Sequence, residues 1–133
     1  MPRTYQNRET IIDYCPIRDC SSEAIEIDDN MFRAFKILDK KGYTARFYSS
    51  AHSRYCPKTY ISFWGNLSFP HLPTGFIIEH KYYVDEDIYV TTISKDYDSK
   101  LSGIELQKQI WQTSLCVLNW ADSLDCAEQE DDG

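Results

Sequence analysis

Met31-Phe32-Arg33-Ala34-Phe35-Lys36-Ile37-Leu38-Asp39-Lys40-Lys41-Gly42-Tyr43-Thr44-Ala45-Arg46-Phe47-Tyr48 changes its apolar period at Gly42. Before the glycine, Met31, Ala34, Phe35 and Leu38 recur three and four apart, which puts them on one face of a helix. Asp28 or Asp29 is the expected N-cap, accepting from free backbone N–H groups. Lys40 and Lys41 suit the negative end of the helix dipole, and Gly42 can take the left-handed stop. After it, residues 43–48 alternate loosely as a strand does. Helix followed by a run of strands reads as α+β.

Further along, Thr59-Tyr60-Ile61-Ser62-Phe63-Trp64 is a clear strand, rich in aromatic and β-branched residues, ended by Gly65-Asn66. Pro70 and Pro73 make 67–74 a loop. Residues 75–80 and 88–93 are two more strands, with Asp85-Glu86-Asp87 as an acidic hairpin tip between them. Ser102 with Glu105 fits a capping box. Ile104, Ile110, Trp111, Leu115, Val117, Leu118, Ala121 and Leu124 then form an apolar stripe for a second helix. Residues 1–14 are polar apart from Ile11-Ile12 and read as an arm or a weak edge strand. The expectation is one antiparallel sheet of about four strands with two helices on one face. Residues 1–126 form the domain and 127–133 a disordered acidic tail.

The 133 residues suit one domain, and 42% hydrophobic with 14% aromatic content supports a packed core. No run of about 18 apolar residues appears, so no membrane span is expected. The first residues lack an apolar h-region, which makes a bacterial cytoplasm the expected compartment. Net charge is −7, and six acids from Asp122 to Asp132 supply −6 of it. The remaining body is nearly neutral, unlike the basic footprint of a nucleic-acid binder. An acidic tail either stays solvated or favours a basic partner protein.

Five cysteines in a reducing compartment read as metal ligands or free thiols rather than disulfides. Cys15 and Cys20 form one close pair on a turn-rich loop, and His52 and Cys56 form another. Two close pairs far apart in sequence are the layout of a structural zinc site, with each pair chelating locally. Four protein ligands would leave no open position for catalysis. The other reading is ordinary thiols with His52 at the surface. Cys116 near the second helix's apolar face reads as a small buried hydrophobe, and Cys126 as a free thiol.

Several motifs resemble a loose family of small, largely uncharacterised proteins of Gram-positive bacteria and their phages. They are Cys15-Pro16 with Cys20, Ile37-Leu38-Asp39-Lys40-Lys41-Gly42-Tyr43-Thr44, Ser49-Ser50-Ala51-His52, Tyr60-Ile61-Ser62-Phe63 and Leu72-Pro73-Thr74-Gly75-Phe76, all within about 15–80. The resemblance implies a metal-stabilised fold and a mobile-element origin. The family tends to carry Cys where this chain has Ser49, so Cys56 would replace that ligand from the other side of His52.

No catalytic constellation stands out, and the expectation is not an enzyme. Cys15 or Cys56 with His52 could make a nucleophile–base pair, but nothing marks an orienting group or oxyanion hole. The five glycines are scattered singly, with no phosphate loop, and no His-x-Glu of a zinc deaminase exists. Two binding readings remain. The first is a protein-interaction face at Tyr82, Tyr83, Asp85, Glu86, Asp87 and Tyr89, where tyrosines give rigid area and acids suit a basic groove. Size, acidity and the mobile-element resemblance make an inhibitor of a host nucleic-acid enzyme the concrete version. A CRISPR-Cas nuclease kept from its DNA, an anti-CRISPR role, is the favoured case. The second is a nucleic-acid-binding zinc module, with Arg46, Arg54, Lys58 and Lys81 as cations and Tyr48, Tyr55 and Tyr60 as stacking platforms.

Overall fold

The computed structural model describes residues 5–6, 11–15, 22–50, 57–98 and 100–126. Its elements are β1 (Tyr5–Gln6), β2 (Ile11–Cys15), α1 (Ser22–Lys40), β3 (Ala45–Ser50), β4 (Lys58–Trp64), β5 (Ile77–Tyr83), β6 (Ile88–Asp96) and α2 (Gly103–Ser123). The four expected strands are β3 to β6, joined antiparallel in the order β3-β4-β6-β5. The fold is α+β, as the pattern indicated.

The sheet is wider than expected. β2 adds to β3 in parallel, and β1 pairs antiparallel with β2, giving six strands. Parallel neighbours need a crossover connection, and α1 supplies it between β2 and β3. The arm or weak edge strand expected around Ile11-Ile12 is a strand, but nothing local could announce a parallel partner that lies beyond a 19-residue helix.

α1 begins at Ser22, six residues ahead of the Asp28 cap position. Ile27 lies four residues before Met31 and is fully buried, so the apolar stripe runs one turn further back. Asp28 and Asp29 therefore lie inside the helix and do not cap it. Its far end is as expected. Gly42 has φ +96°, Tyr43 N–H donates to Leu38 O at 2.8 Å, and Gly42 N–H donates to Asp39 O at 3.1 Å. That pair of bonds is the Schellman pattern, and Leu38 and Tyr43, its apolar partners, are both buried. Tyr43 is thus held by the helix end, and β3 starts only at Ala45.

The core lies between the helices and one face of the sheet. Met31, Ala34, Phe35 and Leu38 of α1 and Val117, Trp120, Ala121 and Leu124 at α2 meet Tyr48, Ile61, Phe63 and Ile93. Phe35 and Tyr48 pack edge to face at 5.2 Å. Asn30 Nδ2 donates to Ser114 Oγ at 3.1 Å, a buried polar tie between the helices. The loop between β4 and β5 closes one end. Phe69 packs on Trp120 at 5.3 Å, and Trp120 Nε1 donates to His71 O at 2.8 Å.

Ile104 departs from expectation, being 74% exposed. The buried stripe of α2 is Ile110, Thr113, Ser114, Val117, Trp120 and Ala121. Two of its positions are hydroxyl residues that hydropathy overlooks, and Ile104 falls off its helical angle. Trp120, absent from the expected stripe, is a core residue. Ser102 does cap α2, its Oγ accepting from Glu105 N–H at 3.2 Å. Cys116 is partly rather than fully buried, and Cys126 is an exposed free thiol. The expected tail at 127–133 lies outside the described residues. Among those described, no helix is long and apolar enough to cross a membrane.

Candidate interaction surface

Strand alternation sorts the β5–β6 hairpin onto two faces. Tyr82 opposes Tyr89, and Tyr83 opposes Ile88. Partners in register share a face, so Tyr82 and Tyr89 lie on the side of His80 and Thr91. Tyr83 and Ile88 lie on the other, which carries no helix among the described residues. The six residues expected to form one patch therefore present tyrosines on both sides of a blade. Tyr82, Tyr83 and Tyr89 are 42%, 40% and 45% exposed, and Asp85, Glu86 and Asp87 are exposed at the tip.

The tip is ordered by local bonds. Asp87 N–H donates to Val84 O at 3.3 Å, and Asp87 takes φ +52°, a left-handed position that Asp tolerates better than most residues. Tyr82 donates its hydroxyl to Asp87 Oδ1. The Tyr82 and Tyr89 rings lie 4.7 Å apart. The hydrogen bond to Asp87 holds the Tyr82 phenol above its ordinary value, with desolvation and the neighbouring Tyr89 acting in the same direction. Lys81 Nζ stands 4.9 Å from the Tyr83 ring centroid.

On the helix-free face a trough of about 330 Å³ crosses four strands, β3, β4, β6 and β5. Phe47, Trp64, Tyr83 and Glu86 line it together with Ser62, Ile88, Val90 and Thr92. Ser62 Oγ and Thr92 Oγ1 are bonded to each other at 2.9 Å. Phe47 and Trp64 meet edge to face at 6.2 Å. The β3–β4 register shifts between Ala45 and Phe47, so Arg46 is the extra residue. Its guanidinium lies 4.9 Å from the Phe47 ring centroid and 5.4 Å from that of Trp64. Trp64 is 40% exposed, where the sequence pattern marks it only as a strand residue. Its signal was the alternation in β4, where Thr59, Ile61 and Phe63 share one face and Ser62 and Trp64 the other.

Of the expected zinc ligands, Cys20, His52 and Cys56 lie outside the described residues, as do Arg54 and Tyr55. Cys15 is the last residue of β2, and its backbone is in register with Ser49. Among the described residues, no three His, Cys, Asp or Glu side chains gather as metal ligands. Tyr48, a stacking platform in the nucleic-acid reading, is fully buried, and Lys58 is 3.7 Å from Asp96.

Compared with protein-family models, curated proteins and solved structures, the chain matches none of them. The functional reading therefore rests on the surfaces described above and the quoted motifs.

Proposed function

We propose that this chain is a protein-interaction module that presents the β5–β6 hairpin to a basic groove on a partner protein. One observation carries the reading: three tyrosines, each 40–45% exposed, surround three exposed acids on a turn tied by its own hydrogen bonds. Tyrosine offers large area at little entropic cost, and a pre-ordered tip loses little freedom on docking.

The particular partner we propose is a host nucleic-acid enzyme, a CRISPR-Cas nuclease that the module keeps from its DNA. Carboxylates beside aromatic rings suit a channel built for phosphates and bases. The proposal includes a structural zinc on Cys15, Cys20, His52 and Cys56, whose three thiolates and one imidazole suit a closed tetrahedral site. The strand register supports it. β2 ends at Cys15 beside Ser49, and Ser50 at the end of β3 is paired with Thr59 at the start of β4. The segments holding the four ligands thus leave adjoining points at one end of the sheet.

The test is binding of the purified protein to guide-loaded Cas nucleases, with target-DNA loading as readout. Saturable binding that lowers DNA loading, lost in the combined Asp85→Lys, Glu86→Lys, Asp87→Lys variant, is expected. Binding that survives those three changes would overturn the hairpin assignment. Failure across a panel of nuclease types would overturn the CRISPR assignment.

A further inference from the structure

We infer that the trough on the helix-free face receives an arginine side chain from the partner, stacked on Trp64 and Tyr83 and paired with Glu86. This deepens the hairpin reading and rests on it, because Tyr83 and Glu86 belong to the same hairpin.

The lining fits a planar cation. Of the eight described residues that line it, three are aromatic and one, Glu86, is charged. Ring faces attract cations through their quadrupole, and guanidinium adds planar stacking and a fork that matches a carboxylate. The chain already shows these rings in that role, with Arg46 over Phe47 and Trp64 and Lys81 over Tyr83. Neither Arg46 nor Lys81 lines the trough. Among the described residues, Glu79 shares the helix-free face with Lys81 and Tyr83, and Asp85 adjoins Glu86 in the turn. Three carboxylates thus stand against those two cations and the local field favours a basic group, while Asp87 is tied to Tyr82 on the other side. The hydroxyls of Ser62 and Thr92 on the trough floor bond each other and demand nothing of a ligand. A volume of about 330 Å³ is at the small end for ligand clefts, which suits a side chain with a little of its backbone.

An aromatic sheet face can also stack the bases of a single-stranded nucleic acid. Glu86 inside the trough and the surplus of carboxylates around it favour the arginine.

The test is amide and indole NMR of the full chain titrated with hexa-arginine, hexa-lysine and hexa-glutamine peptides and with a dodecamer of thymidylate. Hexa-arginine is expected to move the Trp64 indole N–H and the amides of Ile88 and Val90, with hexa-lysine weaker and hexa-glutamine silent. Trp64→Ala and Glu86→Gln should each weaken hexa-arginine about threefold to tenfold. Trp64→Phe, which keeps a ring, should restore much of the loss and controls for damage to the strand. Shifts confined to Asp85–Asp87 and the Tyr82–Tyr89 side would overturn the trough and leave the hairpin standing. No shift anywhere would remove both readings. A thymidylate response at Trp64 without an arginine response would reassign the face to nucleic acid. Equal affinity for hexa-lysine would remove the stacked guanidinium.

Discussion

Replacing Lys41 by methionine should destabilise the protein through a helix to which Lys41 does not belong. Lys41 Nζ donates to Ala121 O at 2.8 Å and to Asp122 O at 2.7 Å, both in the last turn of α2. That turn has no basic residue of its own. Its last carbonyls lack intrahelical donors and carry the negative end of the dipole. Hydrogen bonds to a charged group contribute about 1.5–3 kcal/mol each when well sheltered. Here one bond is part-buried and the other exposed, water can replace the ammonium, and the methionine regains about 1–2 kcal/mol of side-chain freedom. The net expected loss is about 1–2 kcal/mol. In urea this moves the midpoint down by roughly 0.5–1 M at an unchanged slope. Lys40, its exposed neighbour, supplies the control, and Lys40→Met should stay within about 0.5 kcal/mol of the parent. Equal midpoints for the two variants would rule out the Lys41 tie to α2. So would faster amide exchange in the last turn of α1 with none at Ala121–Leu124.

Burial holds the Tyr97 phenol above its ordinary value, with the hydroxyls of Thr113 and Thr59 working the other way. The folded state then keeps a proton the unfolded chain has lost, so stability is full below about pH 10 and falls as pH rises beyond it. Urea melts between pH 8 and 11.5 should show that fall. Tyr97→Phe should flatten it, at a cost of about 0.5–1.5 kcal/mol for the 2.8 Å bond to Thr59. Val117→Ala, at a fully buried site, should cost about 2 kcal/mol, whereas Ile104→Ser should be neutral within about 0.5 kcal/mol; thermal melts compare the two. Gly75→Ala should cost about 1–2 kcal/mol by the same assay, because φ is +82° and the new Cβ would lie 3.2 Å from Lys95 Cε. Elemental analysis of protein purified without added metal should find about one zinc per chain, with chelation removing cooperative folding. A metal-free folded protein would end the zinc proposal.

The hairpin shows how far the candidate surface could be read in advance. Tyr82, Tyr83 and the three acids were legible as a tyrosine-rich acidic turn. Their division between two faces follows from strand period once β5 is known to run through Tyr83. The expected strand stopped at His80, before that period could act on the tyrosines. Trp64 and Phe47 could not be joined to Tyr83 from sequence, because the trough depends on the strand order β3-β4-β6-β5. That order pairs β4 with β6 and leaves β5 outside β6 at the sheet's edge, and no local signal encodes it.

The local terms were legible along the chain: the α1 stripe and its Gly42 stop, the Ser102 cap, the acidic hairpin tip at Asp85-Glu86-Asp87 and the α+β class. Each is set by residues within about one helical turn or one strand of each other, where backbone sterics and period decide. Tertiary structure alone decided the start of α1, where Ile27 joins Tyr97 and Ile110 in a second small core cluster. It also decided the parallel pairing of β2 with β3 and the passage of Lys41 to α2. The partners in these contacts lie tens of residues apart. Their energy comes from burial and from satisfying backbone groups across elements, and a single stretch of chain carries no record of which distant surface it will meet.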